Sequence, residues 1–157
     1  NPRIAAALAD QARTLEHVIF AGFTHEPALR LAEELVRVTP PGLDRVFYAD
    51  NGSSAIEVAL KMSFHYWRNQ SHGEKTRFIA LSGSYHGETL GALSVSDVAL
   101  YRATYAPLLL EPILMPSPDA WDAEPGETAA GVAARRLGEL RAVLEQHAGE
   151  TCAVIVE

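Results

Sequence analysis

Val46-Phe47-Tyr48-Ala49-Asp50-Asn51-Gly52-Ser53-Ser54-Ala55-Ile56-Glu57-Val58-Ala59-Leu60-Lys61-Met62 is the stretch on which the fold turns. An apolar run gives way to a polar turn containing glycine, then to apolar residues at helical spacing. Ile56, Ala59, Leu60, Ser63, Phe64 and Trp67 share one helical face. Ser54 and Glu57 stand at capping-box spacing, which predicts a helix start within a residue or two of Ser54. Glu57 and Lys61 form an i,i+4 pair in the favourable order. The segment therefore reads as a strand from about Arg45 to Ala49, a turn, and a helix to about Trp67. Gly52 and Ser53 sit at the helix mouth.

A helix mouth that follows a strand is suited to an anion. The first-turn N–H groups lack acceptors within the helix, the helix dipole favours negative charge, and glycine allows close approach to the backbone. A hydroxyl of Ser53 or Ser54 adds a donor for a phosphate. The same spacing also suits an ordinary capped helix that binds nothing. Neither G-x-x-x-x-G-K-[ST] nor G-x-G-x-x-G occurs, which excludes a P-loop and a dinucleotide fingerprint.

Outward from this stretch, further helices are expected from Ile4 to Thr14, from about Pro27 to Val38 with Thr24 as cap, and from Thr128 to His147. A short helix of small residues is expected from Glu88 to Val95. Phe78 to Leu81 and Cys152 to Val156 read as buried strands, and Pro112 leaves room for one short strand before Met115. Apolar strands alternating with helices define an α/β protein: three layers, α/β/α, around a mostly parallel sheet covered on both faces. Ligands gather at the carboxyl ends of such strands. Gly52-Ser53, Ser84-Tyr85-His86-Gly87 and Glu157 each follow a strand. Tyr85 offers a flat aromatic face that could stack on a phosphorylated heteroaromatic ring. His86 reads as a loop hydrogen-bonder.

The 157 residues suffice for a real core, and 48% hydrophobic with 21% charged residues is the balance of a soluble globular protein. The formal net charge of −7 gives a nucleic-acid partner no support. No apolar run approaches the ~20 residues that span a membrane. The single Cys152 lies within an apolar run and reads as a small buried side chain, which fits a reducing, cytoplasmic setting. No His, Cys, Asp or Glu set has metal-ligand spacing. The chain opens without Met and its last apolar run meets Glu157 directly, so it reads as part of a longer protein.

The run from Ala49 to Met62, combined with Ser84-Tyr85-His86-Gly87-Glu88-Thr89, resembles class III aminotransferases of the fold-type I, pyridoxal 5'-phosphate-dependent group. His17 to Pro27, Val46 to Trp67 and Ser84 to Asp97 are most similar to the subgroup that moves an amino group from S-adenosylmethionine to 8-amino-7-oxononanoate in biotin synthesis. The resemblance implies that residues 28–157 are an incomplete large, cofactor-binding domain. Residues 1–27 would form a helix and connector at the interface of a homodimer. It implies that Gly52 and Ser53 hold the cofactor phosphate, that Tyr85 lies against the pyridine ring, and that Glu157 stands near the cofactor. Ile19 and Ala21 match positions lining the partner subunit's substrate pocket. Glu88 stands where near relatives carry Asp. The family's cofactor-linking Lys and pyridine-pairing Asp match nothing in this chain, since Lys61 and Lys75 read as solvated side chains. Without them the chain alone is expected to be inactive. Two other readings remain open from the residues: another ω-amino-acid or ornithine-type aminotransferase, and a non-catalytic module that binds a phosphorylated small molecule.

Overall fold

The computed structural model describes all 157 residues. They form two compact units, Asn1–Tyr48 and Ala49–Glu157. The 27/28 division, drawn by role, falls inside the first.

In the first unit, α1 spans Pro2–Thr14 and α2 spans Glu26–Val38. Helix α2 is not capped by Thr24. His25 takes the cap position in extended backbone without a side-chain bond, and Pro27 occupies the first turn, where its missing N–H costs nothing. The Tyr48 hydroxyl donates to the Ala28 carbonyl at 2.6 Å, and Phe20 lies 5.4 Å from the His25 ring and 5.8 Å from the Tyr48 ring. The strand expected from Arg45 to Ala49 is absent: these residues are irregular and pair with no strand. An apolar run becomes a strand only where a neighbour completes its backbone ladder.

The second unit is built on three parallel strands in the order β2-β1-β3: β1 is Arg77–Leu81, β2 is Ile113–Met115 and β3 is Thr151–Ile155. Ile79 of β1 pairs with Ile113 on one side and Val154 on the other. The α/β reading of these strands holds, and Pro112 sits immediately before β2, where it removes no ladder bond. Helix α3, Gly52–Asn69, packs Leu60 against Phe78, Ala80, Val95 and Cys152, with Ile56 and Trp67 beside them. Strand side chains alternate, so Ile79 and Leu81 face the other way. There α6, Ala129–His147, meets the strand ends: Leu81, Met115 and Val156 line an apolar groove with Ala133, Leu137 and Leu140. The inward face of α3 is narrower than expected, because Ala59 and Phe64 are exposed. Two short helices, α4 (Leu90–Ser94) and α5 (Ala99–Arg102), lie in the crossover from β1 to β2.

Cys152 is buried, as its apolar neighbours indicate, and burial pushes its thiol up against the opposing influence of Lys75. Its carbonyl accepts the Trp67 indole N–H at 2.7 Å. Lys75 is not a solvated loop lysine. Its ammonium donates to the carbonyls of Ala148 and Thr151 and lies 4.3 Å from the Trp67 ring centroid, fastening the turn between α6 and β3.

Thr128 caps α6 by accepting the Gly131 amide at 3.1 Å. Just before it, Glu127 receives two bonds from Arg135, at 3.0 and 2.7 Å. Those bonds, helped by the Glu124 amide, hold the Glu127 carboxyl at about 2, below its ordinary 4.5. A depressed carboxyl stabilises the fold fully above its free-chain value and loses that contribution as pH falls through about 2. Glu127→Gln should therefore lower the melting temperature near neutrality, with the gap to wild type closing between pH 4.5 and 2. A gap that stays constant across that window in a melting series would contradict the pairing.

Candidate functional site

The site is built where β1 and α3 present their ends to one another. Asn51, not Ser54, caps α3: its side chain accepts the Ser54 amide at 2.8 Å, so the helix starts at Gly52. This satisfies one first-turn donor and leaves the Gly52 and Ser53 amides without an acceptor in the helix. A Cβ at Gly52 would meet nothing within 4 Å, so the approach to these amides is open.

Beyond β1 the chain turns at once. The Ser84 hydroxyl donates to the Leu81 carbonyl at 2.7 Å, and the Gly83 amide donates to the Asp97 carboxylate at 3.0 Å. The Asp97 amide returns to the Ser84 carbonyl at 2.8 Å, and the His86 amide donates to the Ser96 hydroxyl at 2.8 Å. Residues 83–86 are thus stitched to residues 96–97. The loop tip then reaches α3, where the Glu88 amide donates to Ser53 Oγ at 3.2 Å. At Gly87 the backbone passes so close to Ser53 that a Cβ would lie 2.1 Å from that same oxygen, and φ is +126°. From the far side, Glu157 accepts the Tyr85 amide at 2.7 Å. Gly52, Ser53, Tyr85 and Glu157 are brought to one place. Ile19 and Ala21 lie on the exposed connector of the first unit.

Tyr85 is 41% exposed, its ring centroid 5.7 Å from that of Tyr101. Its hydroxyl donates to Glu88 at 2.9 Å, and that bond to a carboxylate raises the phenol pKa. The longer Glu88 side chain thus reaches the tyrosine. His86 uses its backbone as the loop reading expected, but its ring Nε2 is buried without a partner. Burial lowers the imidazole pKa against the opposing charge of Glu157.

Two residues of the arrangement were not visible in the sequence. Glu57 neither closes a capping box nor makes an ion pair with Lys61. It accepts the amides of Gly91 at 2.6 Å and Ala92 at 3.2 Å, at the start of α4. Burial pushes this carboxyl up, but hydrogen bonds from Thr89, Gly91 and Ala92 outweigh it and the net shift is downward. Arg102 points one nitrogen at the carbonyls of Leu93, Ser94 and Ser96. Neither role has a local signature, since an i,i+4 Glu–Lys pair reads as a surface pair whatever the Glu touches. No group of three or more His, Cys, Asp or Glu residues could hold a metal ion, and no helix is long and apolar enough to cross a membrane.

A parallel α/β sheet with an anion-ready helix mouth, an aromatic loop and a carboxylate meeting at its carboxyl edge is the arrangement that the Tyr-His-Gly and Gly-Ser elements anticipate. The chain belongs to the class-III aminotransferase family, which it matches over residues 1–157. It is 46% identical over 155 residues to the adenosylmethionine-8-amino-7-oxononanoate aminotransferase of Synechococcus elongatus, covering 99% of this chain and 35% of that protein. The enzyme of the same name from Geobacter sulfurreducens is 42% identical, over 98% of this chain and 34% of its own length. The chain thus spans about a third of the length of these curated relatives. Among solved structures, the crystal structure of the Methanocaldococcus jannaschii enzyme of that name superposes with a TM-score of 0.83 at 30% identity, covering 98% of this chain and 32% of that one. The omega transaminase from Pseudomonas jessenii in complex with PMP gives 0.88 at 25% identity, covering 98% and 35%.

Proposed function

We propose that the full-length protein transfers an amino group from S-adenosylmethionine to 8-amino-7-oxononanoate, giving 7,8-diaminononanoate, with pyridoxal 5'-phosphate as cofactor. The observation that carries this reading is the contact of Ser53 with Glu88, which sets the open helix mouth beside the tyrosine loop. The donor substrate and acceptor come from the names of the relatives in Synechococcus and Geobacter.

The residues suit the cofactor. Two free amides and a hydroxyl at a helix N-terminus match a phosphoryl group in charge and in donor chemistry. Gly52 and Ser53 would hold that group, and the Tyr85 ring would lie against the heterocycle. Glu157 fixes the Tyr85 backbone by accepting its amide. The buried, unpartnered His86 Nε2 leaves one further polar atom at the same loop for the bound assembly to satisfy. When bound, pyridoxal phosphate carries the amino group between donor and acceptor and withdraws electrons from the substrate carbon. The chain's own residues bind and orient; none of them moves a proton. Ile19 and Ala21 are proposed to line the substrate pocket of the partner subunit in a homodimer.

Full-length protein mixed with pyridoxal phosphate should develop a visible absorption band, and borohydride should fix the cofactor covalently to a lysine. Absence of any adduct would favour a non-catalytic phosphate-binding module. Turnover should require S-adenosylmethionine; turnover with ornithine or 4-aminobutyrate instead would make this another ω-aminotransferase. Ser53→Ala should weaken cofactor binding about ten-fold, the effect of one lost charge-assisted hydrogen bond. An unchanged titration curve would remove Ser53 from the site.

A further inference from the structure

Helix α3 touches the Tyr85 loop and its continuation at two levels, one helical turn apart. Ser53 meets Gly87 and Glu88 at the helix mouth. Four residues on, Glu57 reaches across to the first residues of α4, accepting the amides of Gly91 and Ala92. The approach is close enough that a Cβ on Gly91 would lie 2.3 Å from a Glu57 carboxylate oxygen. Residues i and i+4 of a helix lie one above the other on a single face, so both contacts come from one rigid edge. A charged acceptor serving two backbone amides is a strong tie. It is also costly to leave unmade, because the first amides of α4 have no acceptor within that helix.

We propose that Glu57 is a positioning residue for the cofactor site: it anchors residues 89–92 to α3 and thereby holds residues 85–88, with the Tyr85 ring, at a set distance from the Gly52–Ser53 amides. The assignment of those amides and that ring to pyridoxal phosphate rests on the function proposed above; the anchoring itself does not. Glu57 touches neither the mouth of α3 nor the Tyr85 ring in any contact of the structure. Its influence passes through the backbone from Thr89 to Ala92.

The experiment uses the full-length protein carrying Glu57→Ala or Glu57→Gln, the latter keeping one acceptor oxygen. Amide hydrogen exchange without cofactor is read at residues 85–88, whose own acceptors (Glu157, Ser96 and Ser53) are untouched by either change. Glu57→Ala should speed exchange there at least ten-fold, with Glu57→Gln within about three-fold of wild type. Pyridoxal phosphate titration should show the same order, with affinity about ten-fold weaker for Glu57→Ala and largely restored for Glu57→Gln. Because the loop orients rather than reacts, kcat should fall in Glu57→Ala even at saturating cofactor. Exchange at 85–88 unchanged in Glu57→Ala overturns the anchoring. Faster exchange with wild-type cofactor affinity and kcat overturns the positioning role. A melting temperature lowered equally in both variants, with no difference between them in exchange, also overturns it, leaving Glu57 a general packing residue. If wild-type protein takes up no pyridoxal phosphate, the functional reading fails, and the exchange result still decides the anchoring. Should Glu57→Ala not fold, Glu57→Asp, which draws the carboxylate back one methylene from the Gly91 and Ala92 amides, should raise exchange at 85–88 by a smaller factor; no rise overturns the anchoring.

Discussion

Gly87→Ala should be the most damaging single-methyl change in the second unit, destabilising it by about 2–6 kcal/mol and abolishing cofactor uptake in the full-length protein. Two effects combine. The backbone at Gly87 has φ of +126°, outside the region that residues with a Cβ adopt readily, and holding alanine there costs about 1–3 kcal/mol. The added methyl would also lie 2.1 Å from Ser53 Oγ, 2.9 Å from its Cβ and 3.0 Å from its Cα. A hydroxyl can rotate away, but a Cα in the first turn of an 18-residue helix cannot move without the helix, so overpacking adds a further ~1–3 kcal/mol. Two neighbouring glycines serve as controls. Gly83 also has positive φ, at +75°, but open space around it, so Gly83→Ala should cost only about 1 kcal/mol, the conformational part. Gly91 is not at positive φ, but its methyl would push the Glu57 carboxylate off the amides of α4, so Gly91→Ala should lose that tie without backbone strain and fall between the other two. Chemical unfolding of the three variants should rank Gly87 first by a clear margin. A Gly87→Ala protein that melts with the Gly83→Ala protein would mean that the loop lies farther from α3 than these contacts place it.

The same contacts explain how far the sequence could be read. Elements whose identity is set by their own residues were legible: Phe78 to Leu81 is a continuous apolar run, Thr128 is a good cap ahead of a long periodic stretch, and Pro112 limits its strand to the residues after it. The meeting of the Tyr85 loop with Glu157 was legible too, because a parallel sheet sends the ends of its strands to one edge, whereas Gly52 and Ser53 reach that edge with no strand before them. What could not be read was set by partners distant in the chain. Arg45 to Ala49 has strand composition but no ladder neighbour. Capping-box spacing pointed to Ser54, while the cap is Asn51, three residues earlier. Glu57 had two plausible local partners, Ser54 and Lys61, and took instead a pair of amides more than thirty positions away. Lys75 looked solvated because nothing local tells that the end of α6 will return to it. Side chains that serve another element's backbone carry no periodic signal, and the stitching of this site consists mostly of such side chains.

Arg102 is the extreme case, and its replacement should show how much the loop depends on it. One guanidinium nitrogen, Nη1, donates to the carbonyls of Leu93, Ser94 and Ser96 at 2.9, 2.8 and 2.6 Å. All three residues are buried, at 1%, 1% and 0% exposure, so water has little access to those oxygens once the arginine is gone. The Leu93 and Ser94 carbonyls end α4 and that of Ser96 follows it; Leu93 also accepts the Ser96 amide at 3.3 Å, so Ser94 and Ser96 depend on the arginine, at a helix end where a positive charge is also favoured by the direction of the peptide dipoles. Arg102→Met keeps the aliphatic stem and removes only the donor. With two buried carbonyls left without a donor at about 1–3 kcal/mol each and partial relaxation by the loop, a loss of about 2–4 kcal/mol is expected. The damage should spread to the site, because Ser96 receives the His86 amide through its hydroxyl. Arg102→Lys is the informative companion. A single nitrogen makes all three contacts, so an ammonium has the right charge and donor count but sits one bond short; it should recover roughly half of the loss. Unfolding free energies of the two variants decide the matter. If Arg102→Met stays within 1 kcal/mol of wild type, solvent satisfies those carbonyls and the arginine is not what closes the end of α4.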